Sequence, residues 1–126
     1  MADISVLHHQ EGVRLDPDRV TTLYSELGGV KAEAVLCHSI EELAVLLATL
    51  QRSAQANNRG AIVETAGALG RLAAEIGMIT LARVAGDVAH TALAADTAAL
   101  AATQARLVRI GDRSLTAVWD LQDMSL

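Results

Sequence analysis

The sequence contains no phenylalanine, one proline, one cysteine and two aromatic residues, Tyr24 and Trp119. Strands draw on aromatic and β-branched residues and hairpins need turn signals at short spacing, so an all-β fold is excluded, and so is a collagen-like one. The lone Cys37 has no partner for an internal disulfide, and it reads as a small core residue rather than a nucleophile. Only 20% of the residues are charged, the net charge is −5 and the pI is near 5.2, which argues against a grip on phosphate backbones and hence against a nucleic-acid partner. No apolar run approaches the roughly 18 residues of a membrane span; Ala92 to Leu100 is broken by Asp96. The first residues, Met1 to His9, have neither the basic stretch nor the apolar segment of a secretory signal, so a cytoplasmic location is expected.

What is abundant is alanine and leucine, 24 and 18 of 126 residues, within a chain that is 52% hydrophobic. These are strong helix formers, and the balance of high hydrophobicity with modest charge is the opposite of a disordered chain's. The length suits one compact domain.

Residues 1–14, which include His8 and His9, show no clean period and read as an N-terminal arm; the domain is expected over 15–126. Asp16 followed by Pro17 is an N-cap with proline at the first helical position, and Val20, Leu23 and Leu27 then recur at helical spacing until Gly28-Gly29. From Val30 to about Ala56 an apolar stripe of Leu36, Ile40, Leu43, Leu47, Leu50 and Ala54 marks a long amphipathic helix, broken by Asn57-Asn58-Arg59-Gly60. Ile62, Ala66, Leu69, Ala73 and Ile76 form the next stripe, ending at Gly77. Leu81, Val84, Val88 and Ala92 mark a helix over about 79–95. Asp96 caps a last helix to about Asp120, with Leu100, Leu107, Ile110, Val118 and Leu121 inward. The pattern predicts an all-α fold: an up-and-down antiparallel four-helix bundle with a short leading helix.

Reactive chemistry is scarce. There is no Gly-x-Ser-x-Gly elbow, and Gly67-Ala68-Leu69-Gly70 lies inside a helical period rather than between a strand and a helix, so it is no phosphate loop. His8, His9, Cys37 and His38 lack the three- or four-residue spacing of metal ligands on a helix, and Glu-x-x-His occurs nowhere; no metal and no cofactor is expected. His90 lies about 200° round the helix from Val88, so it is expected on the surface, where an imidazole is capable of accepting a phosphoryl group.

The order of elements resembles the histidine-containing phosphotransfer (HPt) domain, a four-helix bundle that relays phosphoryl groups between hybrid kinases and response-regulator receiver domains. The likeness runs over about 15–121: Leu15-Asp16 at the start, Leu47-x-x-Leu50 before the polar turn at Asn57-Asn58, and the central helix. That helix in the family reads Leu, three residues, Ala, then His-x-Leu-Lys-Gly, two small residues, and finally Leu-Gly and a further Leu. Here the matching string is Ile62, Ala66, Gly67, Leu69, Gly70, Arg71, Ala73, Ile76, Gly77 and Leu81. The position of the phosphorylated histidine holds Gly67, and Gly70-Arg71 replaces Lys-Gly, so the resemblance implies a member without the phosphoacceptor. Placing His90 in that slot fails on spacing, because Leu100 stands where the later glycine belongs.

Two glycines inside a helix cost about 0.5–1 kcal/mol each relative to alanine. With Val63 and Ala74, Gly67 and Gly70 form a row beside the main stripe. One reading is a smooth patch for a partner, comprising Glu64, Gly67, Ala68, Gly70, Arg71 and Ala74; the other is drift, or close packing inside the bundle. Between Gly60 and Ala105 the only charged residues are Glu64, Arg71, Glu75, Arg83, Asp87 and Asp96, a pale surface that suits association. The expected function is therefore a non-catalytic HPt-like module that binds a receiver domain or a histidine kinase. The alternatives are phosphotransfer through a displaced histidine, His90, and a structural bundle that self-associates, for instance as a homodimer.

Overall fold

The computed structural model describes residues 12–125, with side chains described through Ala117. Five helices follow one another among the described residues: α1 Pro17–Leu27, α2 Gly29–Gln55, α3 Arg59–Glu75, α4 Ile79–Leu93 and α5 Thr97–Ser125. Consecutive helices pack on each other and α2 meets α5, closing the all-α, up-and-down bundle that the periodicity predicts. His8 and His9 in the arm, and the side chains of Val118 and Leu121, lie outside the described residues.

The stripes are the core. Leu36, Ile40, Leu43, Leu50, Ile62, Ala66, Leu69, Ala73, Ile76, Leu81, Val84, Val88, Ala92, Leu107 and Ile110 are buried in one cluster. Leu47, Ala54 and Leu100 pack at its margin. Removing a buried leucine from such a cluster typically costs about 2–5 kcal/mol, so these positions carry most of the fold's stability.

The connections share one device. After α2, α3 and α4 a single residue takes a left-handed conformation: Asn57 with φ 53°, Gly77 with φ 80° and Ala95 with φ 58°. The next N–H then reaches back to a helix carbonyl, from Asn58 to Ser53 at 2.9 Å, from Met78 to Ala73 at 2.8 Å and from Asp96 to Thr91 at 3.4 Å. This Schellman arrangement satisfies carbonyls that the helix end would leave open. The expected N-caps follow: Asp16 accepts from the Asp18 N–H at 3.0 Å and Asp96 from Ala99 at 3.0 Å, and Asn58, expected only as part of the break between helices, caps α3 by accepting from Ala61 at 3.1 Å. Gly28 alone interrupts the chain between α1 and α2; Gly29, expected to help stop α1, is already helical.

Helix α4 begins without a side-chain cap. The Arg14 carbonyl takes that role, accepting from the N–H groups of Ile79 at 3.0 Å and Thr80 at 3.4 Å, while the Arg14 N–H donates to Thr80 Oγ1 at 2.8 Å. Leu15 bridges Met78, the Asp16 N–H donates to the Gly77 carbonyl at 2.7 Å, and the Arg19 guanidinium donates to the Glu75 carbonyl at 3.0 and 3.2 Å. Val13 packs against the core. The last two residues of the expected arm, Val13 and Arg14, thus pack on the bundle, because the uncapped start of α4 needs an acceptor that Met78 lacks.

Two substitutions test the turn geometry. A Cβ at Gly77 would lie 2.8 Å from the Asp16 carbonyl oxygen and would hold a left-handed φ. Gly77→Ala is expected to lower the unfolding free energy by about 2 kcal/mol or more in urea titration. Ala95→Gly relieves the same conformation with no collision to remove, and is expected to raise stability by about 0.5–1 kcal/mol.

Candidate functional site

The outward half of α3 follows from its inward half. With Ile62, Thr65, Ala66, Leu69 and Ala73 buried, the residues between them turn to solvent. Glu64, Arg71 and Ala74 are exposed, and Gly67, Ala68 and Gly70 are half-buried. The six residues singled out in the sequence thus share one helix but do not form a single open patch. Gly70 stands against α4, where an added Cβ would lie 3.5 Å from the Ala85 Cβ and 3.6 Å from the Ala82 carbonyl oxygen. Ala68 lies about 160° round the helix from Gly70 and faces away from α4. The centre of the outward arc belongs to Gly67 and Arg71.

A Cβ placed on Gly67 meets nothing within 4 Å except the Arg71 Nη1, at 3.5 Å. Side chains on a helix lean toward its N-terminus, so the arginine four residues later lies back over the bare backbone at Gly67. No element of the bundle crowds this position. The packing distances at Gly67 and Gly70 are ordinary van der Waals contacts, so neither glycine is demanded by close approach of the helices.

Val63, one turn before Gly67, lines a shallow depression of about 300 Å³ with Arg59, Gly60, Ala92 and Leu93. Leu93 is 71% exposed. Leu93 lies off the Leu81–Val84–Val88–Ala92 stripe and reads as plain surface in the sequence; only the antiparallel register of α3 and α4 puts it beside Val63.

His90 is exposed on the last turn of α4. The Gly70 contacts with Ala82 and Ala85 set the register of the hairpin. Carried along it, Gly67 stands opposite Gly86–Val88, and His90 is about one turn further on, level with Val63–Thr65. The two positions are therefore near each other in height without being level.

The other candidates stay apart. Cys37 is half-buried on α2, and His38 is exposed and 3.9 Å from Glu42 one turn later. Among the described residues no three His, Cys, Asp or Glu side chains gather to hold a metal ion, and no helix is long and apolar enough to cross a membrane.

Because the contacts at Gly67 and Gly70 are ordinary, Gly67→Ala and Gly70→Ala are each expected to raise stability by about 0.5–1 kcal/mol, read as a shifted denaturation midpoint.

No family model matches the chain, and no curated protein matches it. Among solved structures it is similar to the crystal structure of histidine-containing phosphotransfer protein B from Pseudomonas aeruginosa PAO1, with a TM-score of 0.79 over 87% of this chain and 95% of that one. The two are 15% identical in sequence, so the likeness is one of fold. The chain has the helical-bundle architecture of that phosphotransfer protein.

Proposed function

We propose that the chain is a non-catalytic docking module of the phosphotransfer type, which binds a receiver domain or a histidine-kinase domain in the cytoplasm and carries no phosphate itself. The observation that supports this reading best is Gly67. It sits at the centre of the outward face of α3, unobstructed by the bundle, at the place where the sequence match puts the phosphoacceptor histidine. A glycine has no nucleophile, and none of the side chains around it, Val63, Glu64, Ala68 and Arg71, supplies the imidazole that phosphoryl acceptance at this position requires. What remains is a scaffold with a docking face. Occupying a receiver or a kinase without reacting would block or titrate it.

His90 supports the second reading, an active phosphotransfer protein, through its exposure and its nearness in height to Gly67. Its place on the last turn of α4 weakens that reading, since an acceptor there would be displaced from the α3 face. Self-association through the α3 face is the third.

Calorimetric titration against receiver and kinase domains from the same cell tests the docking. At least one is expected to bind at least about tenfold more tightly than an unrelated acidic protein, a difference of about 1.4 kcal/mol. Equal affinity for all of them contradicts the reading, and a stable homodimer burying Gly67 favours the third one.

Incubation with a radiolabelled phosphoreceiver tests the chemistry. The natural chain is expected to take up no acid-labile label, whereas the triple variant Gly67→His, Gly70→Lys, Arg71→Gly is expected to become labelled, because the arginine over the slot is removed as the imidazole enters. Label on the natural chain that is lost in His90→Ala contradicts the non-catalytic reading and favours the second.

A further inference from the structure

We infer that the Arg71 guanidinium is the specificity-determining contact of the α3 face, and that it pairs with an oxyanion, a carboxylate or a phosphoryl group, held in the apolar-rimmed cleft of a protein partner. This inference rests on the docking reading above and names the residue and the chemistry that it would use.

Arg71 is exposed, its Nη1 lies 3.5 Å from where a Gly67 Cβ would stand, and among the described residues no hydrogen bond or ion pair takes up its guanidinium. Glu75 is four residues further along α3, the spacing of a helical ion pair, yet the arginine lies back toward Gly67 instead. Gly67 leaves the ground beneath the guanidinium bare, and even a Cβ there would lie at ordinary contact distance, 3.5 Å, from Nη1. The result is a planar fork of donors at the centre of the face, in the place where a phosphotransfer protein would present its imidazole. Guanidinium groups pair bidentately with carboxylates and phosphates and lose less freedom in doing so than a lysine would.

The surroundings select a protein rather than a free anion. Glu64 and Glu75 lie on the same outward arc, and the chain's net charge is −5, so a small anion arriving from solvent meets a repulsive field. A protein offsets that repulsion by covering the apolar ledge of Val63 and Leu93. Val63 and Arg71 are about 12 Å apart along the helix, well within the span of one ordinary interface.

The test uses the full chain and its Arg71→Ala, Arg71→Lys and Arg52→Ala variants, titrated against the receiver domains of the same cell, both untreated and phosphorylated with acetyl phosphate. Arg52 is exposed near the end of α2, so its variant removes the same charge away from the face. Arg71→Ala is expected to weaken binding at least about tenfold, Arg71→Lys less, and Arg52→Ala less than about twofold. Tighter binding of the phosphorylated receiver that disappears in Arg71→Ala identifies the phosphoryl group as the acceptor; equal binding of the two forms identifies carboxylates. If Arg71→Ala binds as the natural chain does, or Arg52→Ala weakens binding equally, the inference is overturned and the docking reading stands. If the natural chain binds neither form, the docking of a receiver is overturned and this inference with it.

Discussion

The Asp16 N–H meets the Gly77 carbonyl at 2.7 Å, and around that bond the chain ties three helices together. Asp16 caps α1, Gly77 closes α3, and the residue two before Asp16 supplies the acceptor for the first N–H groups of α4. Only glycine fits at the centre, since a side chain would collide with the Asp16 carbonyl. The consequence reaches the far end of the hairpin. Once the turn is held, the register of α3 on α4 follows, with Gly70 against Ala82 and Ala85, and the helical period then decides which residues of α3 face outward. The position of Gly67 and Arg71 on the surface is in this sense set at Gly77.

Much of the architecture was legible in the residues. Apolar steps of three and four located every core helix, and Asp16 and Asp96 marked two helix starts because their short side chains accept backbone N–H groups, whereas Asn58 read only as part of a break and turns out to cap α3 in the same way. Three features were not legible, for different reasons. Ala95 holds a left-handed conformation without a glycine or asparagine to announce it, since the two flanking helices impose the turn. The Arg14 carbonyl caps α4 through its backbone, which has no sequence signature. Thr80 and Ser114 are buried although polar; Thr80 accepts the Arg14 N–H, whereas among the described residues the Ser114 hydroxyl has no hydrogen-bond partner.

The site was half legible. The spacing of the central helix placed Gly67 where a histidine stands in the phosphotransfer pattern, but the row of small residues read as one smooth patch. Tertiary packing divides it: Gly70 belongs to the contact with α4, and Gly67 opens to solvent beneath Arg71. That arginine follows Gly67 by one turn, so the backward lean of helical side chains was a usable signal. The outward arc of α3 presents Arg71 together with Glu64 and Glu75, next to the small apolar ledge of Val63 and Leu93.

Backbone amide chemical-shift mapping of the ¹⁵N-labelled chain, during titration with a receiver domain that it binds, locates the docking face residue by residue. Perturbations are expected to concentrate at Val63–Ala74 on α3 and at the facing end of α4 around His90 and Leu93. Perturbations confined to the α2–α5 side, or to the exposed apolar corner of Leu27 and Val30, would contradict the docking reading.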